Sequence, residues 1–373
     1  MKRILVVIGT RPEAIKLAPV IHELRNRVDV FKTHVCLTGQ HQEMLHQAID
    51  YFEIEFNYDL KSMKKNQSLS ELSAILTNKL QKTLDTFRPH LILVQGDTTS
   101  ALVGALSGYY NKVQVGHVEA GLRSNNKFSP FPEELNRKLI GVLADHHFAP
   151  TRRAAKNLLS EGVLDTHIIV TGNTVIDALF FTLKKIEKSP PSLGRLDSVV
   201  SNGHKVTLIT GHRRENFGQG LENVCYAIRR LAAKFSDVEF IYCVHLNPNV
   251  QVPVSTILGN LPNVHLVPPF GYVPFVSLLR SAHLVLTDSG GIQEEAPSLG
   301  KPVLVTRDVT ERSEAVEAGT AILVGPDQGK IFSEASRLLE NDAERAAMAG
   351  ISNPFGDGRA ARRIVEYILR LDL

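Results

Sequence analysis

Short β-rich runs alternate with longer segments of helical periodicity along nearly the whole chain, and this alternation restricts the possible folds more than any other feature. The apolar runs predict buried strands, and the amphipathic segments after them, such as residues 15–24 and 69–87, predict helices. Such a strand–helix–strand rhythm implies a parallel sheet covered by helices. The predicted strands are residues 3–8, 33–37, 91–94, 113–118, 168–170, 206–210, 240–244, 264–267, 284–287, 302–305 and 321–324.

The rhythm breaks once, at residues 189–194, and turn-forming residues dominate from there to Gly203. A chain of 373 residues is too long for one ordinary domain, and its 43% of hydrophobic residues can fill two cores. The sequence therefore predicts an α/β protein with two doubly wound, Rossmann-like parallel-sheet domains.

Charge and cysteine content exclude several classes of function. A formal net charge of +3 is small for this length and argues against nucleic acid as a partner. Cys36, Cys225 and Cys243 are widely spaced, which predicts three free thiols in a reducing compartment. The apolar run at the amino terminus is too short for a signal peptide, and no stretch approaches membrane-spanning length. We expect a soluble, cytoplasmic protein that does not associate with membranes.

The residues after the predicted strand 284–287 are typical of an anion site at the start of a helix. Ser289 offers an N-cap hydroxyl, and Gly290 and Gly291 leave backbone N–H groups accessible to a phosphate or diphosphate. Glu295, one turn further on, would repel a phosphate but can accept hydrogen bonds from ribose hydroxyls. The alternative is a glycine-tightened turn followed by a solvated glutamate.

The first strand is followed by a second candidate anion site. Pro12 suits the first turn of a helix, while Arg11 and Lys16 place two cations near its start. Cations there oppose the helix dipole, so the arrangement favours a bound anion between them. The alternative is two ordinary surface cations.

Carboxylates stand at further strand and helix boundaries. Asp97 is either the cap of a helix that begins at Thr98 or a catalytic group. Glu119 lies in an apolar, glycine-flanked stretch where an unpaired carboxylate would be costly, which favours a function. Glu133 and Glu134 open a helix, and this is weak evidence because acids commonly complement the helix dipole.

In the second half of the chain, strands end in histidine-bearing segments. His212 stands in the sequence GHRREN, which is too polar for a plain turn, and His245 follows the next strand. Ligands of open parallel sheets bind beyond the carboxyl ends of the strands, so both histidines are candidates for a site.

Several familiar chemistries lack their sequence signatures. No GxGxxG follows a strand, no Walker-type loop occurs, and neither His146 with His147 nor His117 with Glu119 has partners at metal-ligand spacing. No Asp-x-Asp is available to hold a metal diphosphate. We therefore expect no cofactor and no metal, and a bound diphosphate would be neutralised by arginine, lysine and helix dipoles.

Six segments together resemble the non-hydrolysing UDP-N-acetylglucosamine 2-epimerases. They are residues 9–16 (GTRPEAIK), 96–99 (GDTT), 116–123 (GHVEAGLR), 172–178 (GNTVIDA), 211–216 (GHRREN) and 288–297 (DSGGIQEEAP). The resemblance implies a glycosyltransferase-B-like fold with the nucleotide sugar in a central cleft, and a C-terminal helix that returns to the first domain. It also implies domains formed by residues 1–171 with 359–373 and by residues 172–358, and a homodimer.

The resemblance also implies the residues of the site. Those that contact UDP-N-acetylglucosamine or UDP are Arg11, Lys16, Asp97, Glu119, His212, Phe275, Ser289, Gly290, Gly291, Glu295 and Arg312. The catalytic ones are Asp97, Glu119, Glu133 and His212. Some bacterial members bind a second, activating substrate molecule through positions that correspond to Gln40, His41 and His245. Asn66 stands where such members carry an arginine, so we expect feeble activation. Phe131, Phe270 and Ser313 are further departures from the family pattern.

The reaction that the resemblance implies is inversion at C2 of the sugar. Without a redox cofactor, the plausible route is elimination: UDP leaves C1 as C2 loses its proton, which gives a 2-acetamidoglucal. UDP then adds back to C1 while a proton is delivered to the other face of C2, so the route needs two proton-transfer groups. The sequence leaves open which carboxylate serves which face. A glycosyltransferase, a hydrolysing epimerase and a nucleotide-sugar sensor are the alternatives.

Overall fold

The structure is a computed structural model that describes residues 1–39, 42–64 and 66–373. The chain divides into two compact units, one formed by Met1–Ala178 with Phe355–Leu373 and the other by Leu179–Pro354. Gln40 and His41 lie outside the described residues.

Each unit contains one sheet in which every strand pair is parallel. The first sheet has the order β3-β2-β1-β4-β5-β6-β7 and the second β10-β9-β8-β11-β12-β13 once the strands are numbered along the chain. The strands are β1 (Lys2–Ile8), β2 (Phe31–Leu37), β3 (Tyr58–Asp59), β4 (Leu91–Gln95), β5 (Gln114–Val118), β6 (His146–Ala149), β7 (Ile168–Val170), β8 (Lys205–Gly211), β9 (Val238–Val244), β10 (Val264–Val267), β11 (Leu284–Thr287), β12 (Val303–Val305) and β13 (Ala321–Leu323). The predicted α/β class with two doubly wound parallel sheets is confirmed.

Helices connect most consecutive strands, as the crossovers between parallel strands require. They are α1 (Arg11–Arg25), α2 (Gln42–Tyr51), α3 (Leu69–Phe87), α4 (Thr99–Tyr110), α5 (Glu133–Leu143), α6 (Arg152–Ser160), α7 (Thr174–Lys188), α8 (Leu196–Ser201), α9 (Gln219–Lys234), α10 (Pro248–Leu258), α11 (Tyr272–Ser281), α12 (Gly290–Ser298), α13 (Ser313–Ala318), α14 (Gln328–Glu340), α15 (Asp342–Ala349) and α16 (Ala360–Arg370). Two short 3₁₀ helices, Asp165–His167 and Arg214–Asn216, complete the described secondary structure.

The central strands explain why the sequence reads as continuous apolar runs. Ile4, Leu5, Val6, Val7 and Ile8 of β1 are all fully buried. A parallel strand between helical layers is covered on both faces, so alternation of polar and apolar residues is lost.

Three elements were absent from the prediction. β6 begins with two histidines, so it did not read as an apolar run, although both rings are buried in the sheet. β3 has only two residues, and α8 lies in the stretch that the turn-formers suggested was irregular. In each case the sequence pattern of the segment is weak, and packing against the rest of the fold determines its secondary structure.

The strand orders define one topological switch point in each sheet. The direction of winding reverses between β1 and β4 in the first unit and between β8 and β11 in the second. Ligands of doubly wound sheets bind beyond the carboxyl ends of the strands at such points. Those ends carry residues 9–16 and 96–99 in the first unit, and 211–216 and 288–297 in the second.

The C-terminal helix α16 belongs to the first unit, as predicted, and both of its ends are held by distant side chains. The carboxylate of Asp177 accepts hydrogen bonds from the backbone N–H of Ala360 (3.1 Å) and of Ala361 (2.9 Å). At the other end, Lys2 Nζ donates to the carbonyl oxygen of Leu369 (2.8 Å). An acid at the start of a helix and a cation at its end both complement the helix dipole.

Cys36, Cys225 and Cys243 are free, as predicted, and all three are buried. None of the helices in the described parts of the chain has the length and apolar character needed to cross a membrane.

Candidate active site

At the carboxyl edge of the first sheet, the Glu119 carboxylate is surrounded by hydrogen-bond donors. Lys16 Nζ lies 2.6 Å and 2.7 Å from the two carboxylate oxygens, and Asn173 Nδ2 donates to Oε1 at 3.0 Å. Gln95 Nε2 also donates to Oε2. The residue is only 8% exposed and has a φ of 65°, a left-handed conformation that costs a non-glycine residue energy. The expected partner for this buried carboxylate is therefore present, together with local backbone strain.

Asp97 is held by the start of α5. Its Oδ2 accepts hydrogen bonds from Arg137 Nε at 2.9 Å and lies 2.7 Å from the NH2 nitrogen of the same guanidinium. Asn136 Nδ2 donates to the Asp97 carbonyl oxygen at 2.8 Å. The N-cap of α4 is Thr98, whose hydroxyl accepts from the N–H of Ala101, so the alternative of Asp97 as a helix cap is wrong.

A third carboxylate, Glu13, lies buried between the turn after β1 and the turn after β4. Its oxygens accept hydrogen bonds from the Gly9 N–H (3.2 Å) and from the Thr98 hydroxyl (3.0 Å), and it is 1% exposed. Burial raises the pKa of Glu13 to about 7, although the hydrogen bonds from Thr10 and Thr98 oppose that shift. Glu13 therefore joins the turn after β1 to the turn that carries Asp97.

The two acids that open α5 have different environments. Glu134 is fully buried and accepts from the N–H groups of Ser124 (2.9 Å) and Asn125 (3.0 Å) and from Arg137 (3.0 Å). Burial alone would raise the pKa of Glu134, but these hydrogen bonds outweigh it and hold the pKa below its ordinary value. Glu133 Oε2 is buried and has no hydrogen-bond partner among the described residues. Glu134 is thus structural, while Glu133 keeps its predicted candidacy.

In the second unit, the predicted helix start is present with one difference. Ser289 is the N-cap residue of α12, but its side chain makes no capping hydrogen bond. The hydroxyl is therefore not consumed by the helix, and the backbone donors at Gly290 and Gly291 remain for an anion. Glu295 is 7% exposed and accepts a hydrogen bond from the Tyr272 hydroxyl at 3.0 Å, so the alternative of a solvated glutamate is wrong.

Arg312 packs against the same helix start. A β-carbon added to Gly290 would lie 3.1 Å from the guanidinium carbon of Arg312, so any larger residue would press on the guanidinium. Arg312 Nε donates to Glu294 at 2.8 Å and its NH1 group donates to Glu311 at 3.1 Å. Arg312 and Arg307 lower the pKa of Glu311 to about 2 against the opposing effect of burial. The cation is thus fixed beside the anion site rather than free on the surface.

His212 lies directly after β8, and Asp288 contacts it from the end of β11. His212 Nδ1 lies 3.2 Å from Asp288 Oδ1, and the imidazole ring stacks on His245 with centroids 5.8 Å apart. His212, a predicted site residue, thus lies at the switch point of the second sheet, next to the carboxylate of Asp288.

The remaining predicted residues are placed as follows. Arg11 is the first residue of α1, half-buried and without an ion pair in the described chain, and Phe275 lies in the first turns of α11. Asn66 is exposed, with a φ of 59°. In the described parts of the chain, no group of three or more His, Cys, Asp and Glu side chains could hold a metal ion.

The two units therefore present groups suited to different chemical tasks. The first unit presents carboxylates at neighbouring strand ends, each paired with a cation, which suits proton transfer. The second presents backbone N–H groups and a fixed arginine at a helix start, which suits a diphosphate.

The sequence did not identify the residues whose side chains pair with the predicted site residues. Arg137 and Asn173 had no signal as individual residues, since each gains its partner only through the tertiary fold. Asp288 was detectable as the residue between a strand end and a helix N-cap, a position that often faces a site.

Comparison with known proteins agrees with these features. The family model described as UDP-N-acetylglucosamine 2-epimerase matches residues 22–369. The UDP-N-acetylglucosamine 2-epimerase of Yersinia pestis is 49% identical over 98% of both chains. The crystal structure of the Neisseria meningitidis enzyme bound to UDP-GlcNAc has a TM-score of 0.88 and 47% identity, covering 99% of this chain and 100% of that one. The Methanocaldococcus jannaschii enzyme in complex with UDP-GlcNAc and UDP has a TM-score of 0.79 and 33% identity, covering 99% of both chains.

Proposed function

We propose that this chain, which belongs to the UDP-N-acetylglucosamine 2-epimerase family, interconverts UDP-N-acetylglucosamine and UDP-N-acetylmannosamine without hydrolysing them. Such a reaction supplies N-acetylmannosamine units for cell-surface polysaccharide. The family assignment and the chemistry of the two candidate half-sites support the same substrate, a sugar carried on a uridine diphosphate.

The proposed route is elimination followed by addition. A base removes the C2 proton as the C1–O bond to UDP breaks, which gives a 2-acetamidoglucal and UDP. UDP then adds back to C1, and an acid delivers a solvent-derived proton to the opposite face of C2. Asp97, Glu119 and Glu133 are the proposed proton-transfer groups. Such groups contribute about 10²–10⁴-fold each.

The diphosphate is the leaving group, so its charge must be stabilised as the C1–O bond breaks. The proposed contacts come from the Ser289 hydroxyl and from the backbone N–H groups of Gly290 and Gly291, with Arg312 fixed beside them. Glu295 is proposed to accept hydrogen bonds from the ribose. Arg11, Lys16, His212 and Phe275 complete the proposed substrate contacts.

One observation carries the proposal: two carboxylates at the ends of neighbouring strands are buried or half-buried and each is already paired with a cation. Asp97 is paired with Arg137, and Glu119 with Lys16. A glycosyltransferase needs the diphosphate site and one base, which accepts the proton of the acceptor hydroxyl. An epimerase needs two proton-transfer groups, one for each face of C2, and the carboxylates of Asp97 and Glu119 can fill these two roles.

The test supplies the chain with UDP-N-acetylglucosamine alone and follows the anomeric and C2 proton signals by NMR. An epimerase produces the signals of UDP-N-acetylmannosamine and reaches an equilibrium between both nucleotide sugars. Free N-acetylmannosamine with UDP would identify a hydrolysing enzyme. An unchanged spectrum would overturn the proposal in favour of a transferase that lacks its acceptor or of a sensor.

We further propose a homodimer that works in the cytoplasm. Helix α5 exposes Leu135 (41%), Leu139 (43%) and Val142 (85%) at helical spacing, which gives the first unit an apolar stripe suited to a second copy. Sedimentation of the full chain and of Val142→Arg tests this, because loss of the stripe should shift the dimer toward monomer.

The free, buried thiols suit a reducing compartment, and fractionation of cells that express the chain tests the location.

A further inference from the structure

The carboxylate of Asp288 serves two separate purposes at the end of β11. Its Oδ2 accepts hydrogen bonds from the backbone N–H of His212 and of Arg213, both at 2.8 Å. Its Oδ1 lies 3.2 Å from Nδ1 of the His212 ring. This contact is longer than the backbone bonds and does not meet the geometry of a hydrogen bond. Such contacts commonly tighten when substrate binds.

The chemistry of these partners determines which ring nitrogen carries the proton. An ionised carboxylate only accepts hydrogen bonds, so a neutral imidazole beside it must place its hydrogen on Nδ1. In the described part of the chain, Nε2 has no hydrogen-bond partner. We propose that Asp288 is a positioning residue that holds His212 in the Nδ1-protonated tautomer and leaves Nε2 as the nitrogen that meets the substrate.

The surroundings support an ionised, immobile Asp288. The residue is 1% exposed. Burial acts to raise its pKa, but the adjacent His212 ring and the backbone N–H donors of Arg213 and His212 outweigh burial and lower the pKa. The stacked ring of His245 restricts rotation of His212 from the other side. His245 accepts a hydrogen bond from the Asn247 N–H at its own Nδ1, which fixes that ring as well.

Tyr242 supplies a further support behind the carboxylate. Its hydroxyl is fully buried and has no partner among the described residues. A methyl group placed on Gly211 would lie 3.0 Å from this hydroxyl and 3.8 Å from Asp288 Oδ2, so both oxygens face the same small volume. A cavity lined by Gly211, Tyr242 and Asp288 offers about 10 Å³ to the centre of a water molecule, which suits one water. That water would bridge Tyr242 to the carboxylate.

The proposal rests on the proposed function only for its effect on turnover, since the tautomer is a property of the free chain. The first measurement is therefore the ¹⁵N spectrum of histidine-labelled full-length protein, with His212 assigned by the signal lost in His212→Gln. Protonation on Nδ1 is expected. A neutral ring protonated on Nε2 would overturn the proposal, whether or not the chain is an epimerase.

Asp288→Asn is the sharpest variant because its geometry reverses the tautomer. The amide oxygen must accept the two backbone N–H groups, so the amide NH₂ group faces Nδ1 of His212 and donates to it. The hydrogen must then move to Nε2. An equivalent change in a catalytic triad lowers turnover by about 10⁴-fold, so we expect a fall in kcat of about 10²–10⁴-fold with KM little changed.

The controls match each change. Asp237→Asn alters an exposed carboxylate in the loop before β9 and should leave both the tautomer and kcat unchanged. Tyr242→Phe should lower kcat severalfold, whereas Tyr226→Phe, on a half-exposed ring of α9, should not. Asp288→Asn with normal turnover and an unaltered tautomer would show that the carboxylate only supports the loop. A high-resolution crystal structure without a water between Tyr242 and Asp288 would overturn the bridging step.

Discussion

Replacing Glu119 by glutamine keeps the shape of the side chain and removes its charge. The present carboxylate accepts from Lys16 with both oxygens, and also from Asn173 and Gln95. A glutamine has one acceptor oxygen, so its NH₂ group must face a donor. The ammonium of Lys16, only 17% exposed, loses its counter-charge.

The magnitude follows from this loss. Breaking a fully buried ion pair by changing one partner costs about 3–5 kcal/mol. Lys16 retains some contact with solvent, which reduces the cost, so we expect Glu119→Gln to lower the free energy of unfolding by about 2–3 kcal/mol. If Glu119 transfers a proton in the reaction, kcat should also fall by about 10²–10⁴-fold.

Chemical denaturation and initial-rate kinetics measure the two effects, with Glu23→Gln as the matched control. Glu23 lies 4.0 Å from Arg27 in a partly exposed pair of the same unit, and such pairs contribute about 0–1 kcal/mol. In a double-mutant cycle with Lys16→Met, the combined variant should lose less stability than the two single changes added together. Equal losses in the free energy of unfolding for Glu119→Gln and Glu23→Gln, or strictly additive effects in the cycle, would refute the described pairing of Glu119 with Lys16.

Three further predictions concern stability and regulation. Asp177→Ala should make the amides of Ala360 and Ala361 exchange faster, since removing a cap costs about 0.5–2 kcal/mol, whereas Asp29→Ala, an exposed acid, should not. The folded pKa of Glu13, about 7, lies above the ordinary 4.5, so the folded chain holds a proton that the unfolded chain has released. The stability this proton gives is therefore complete below pH 4.5 and is lost as the pH rises through 7; Glu13→Gln should flatten that part of the denaturation profile, and parallel profiles would contradict it. Supplied alone, UDP-N-acetylmannosamine should turn over without a lag, and a lag removed by a trace of UDP-N-acetylglucosamine would show that activation works despite Asn66.

Some of the structure could be predicted from the sequence because its signal is local. The apolar runs of β1, β4 and β11 and the turn residues after them follow from burial on both faces and from glycine's conformational freedom. Strand order, and so the switch points, depends on pairing between distant segments, and only the family resemblance indicated it. β6 was missed because its two histidines look polar until the sheet buries them.

The site shows the same division. Glu119 could be singled out because a carboxylate in an apolar stretch needs a partner, but the identity of that partner, Lys16, is set by packing across 103 positions of the chain. The capping alternative for Asp97 could not be rejected from sequence, since Thr98 is an equally good cap and only the position of Arg137 shows what the carboxylate does.

The central claim is epimerisation by elimination, and turnover of UDP-N-acetylglucosamine in deuterium oxide tests it most directly. Removal of the C2 proton and its replacement from solvent should place deuterium at C2 of the UDP-N-acetylmannosamine formed, with no added nicotinamide cofactor or metal and no loss of rate in a chelator. Product that retains the original proton at C2 would contradict the account.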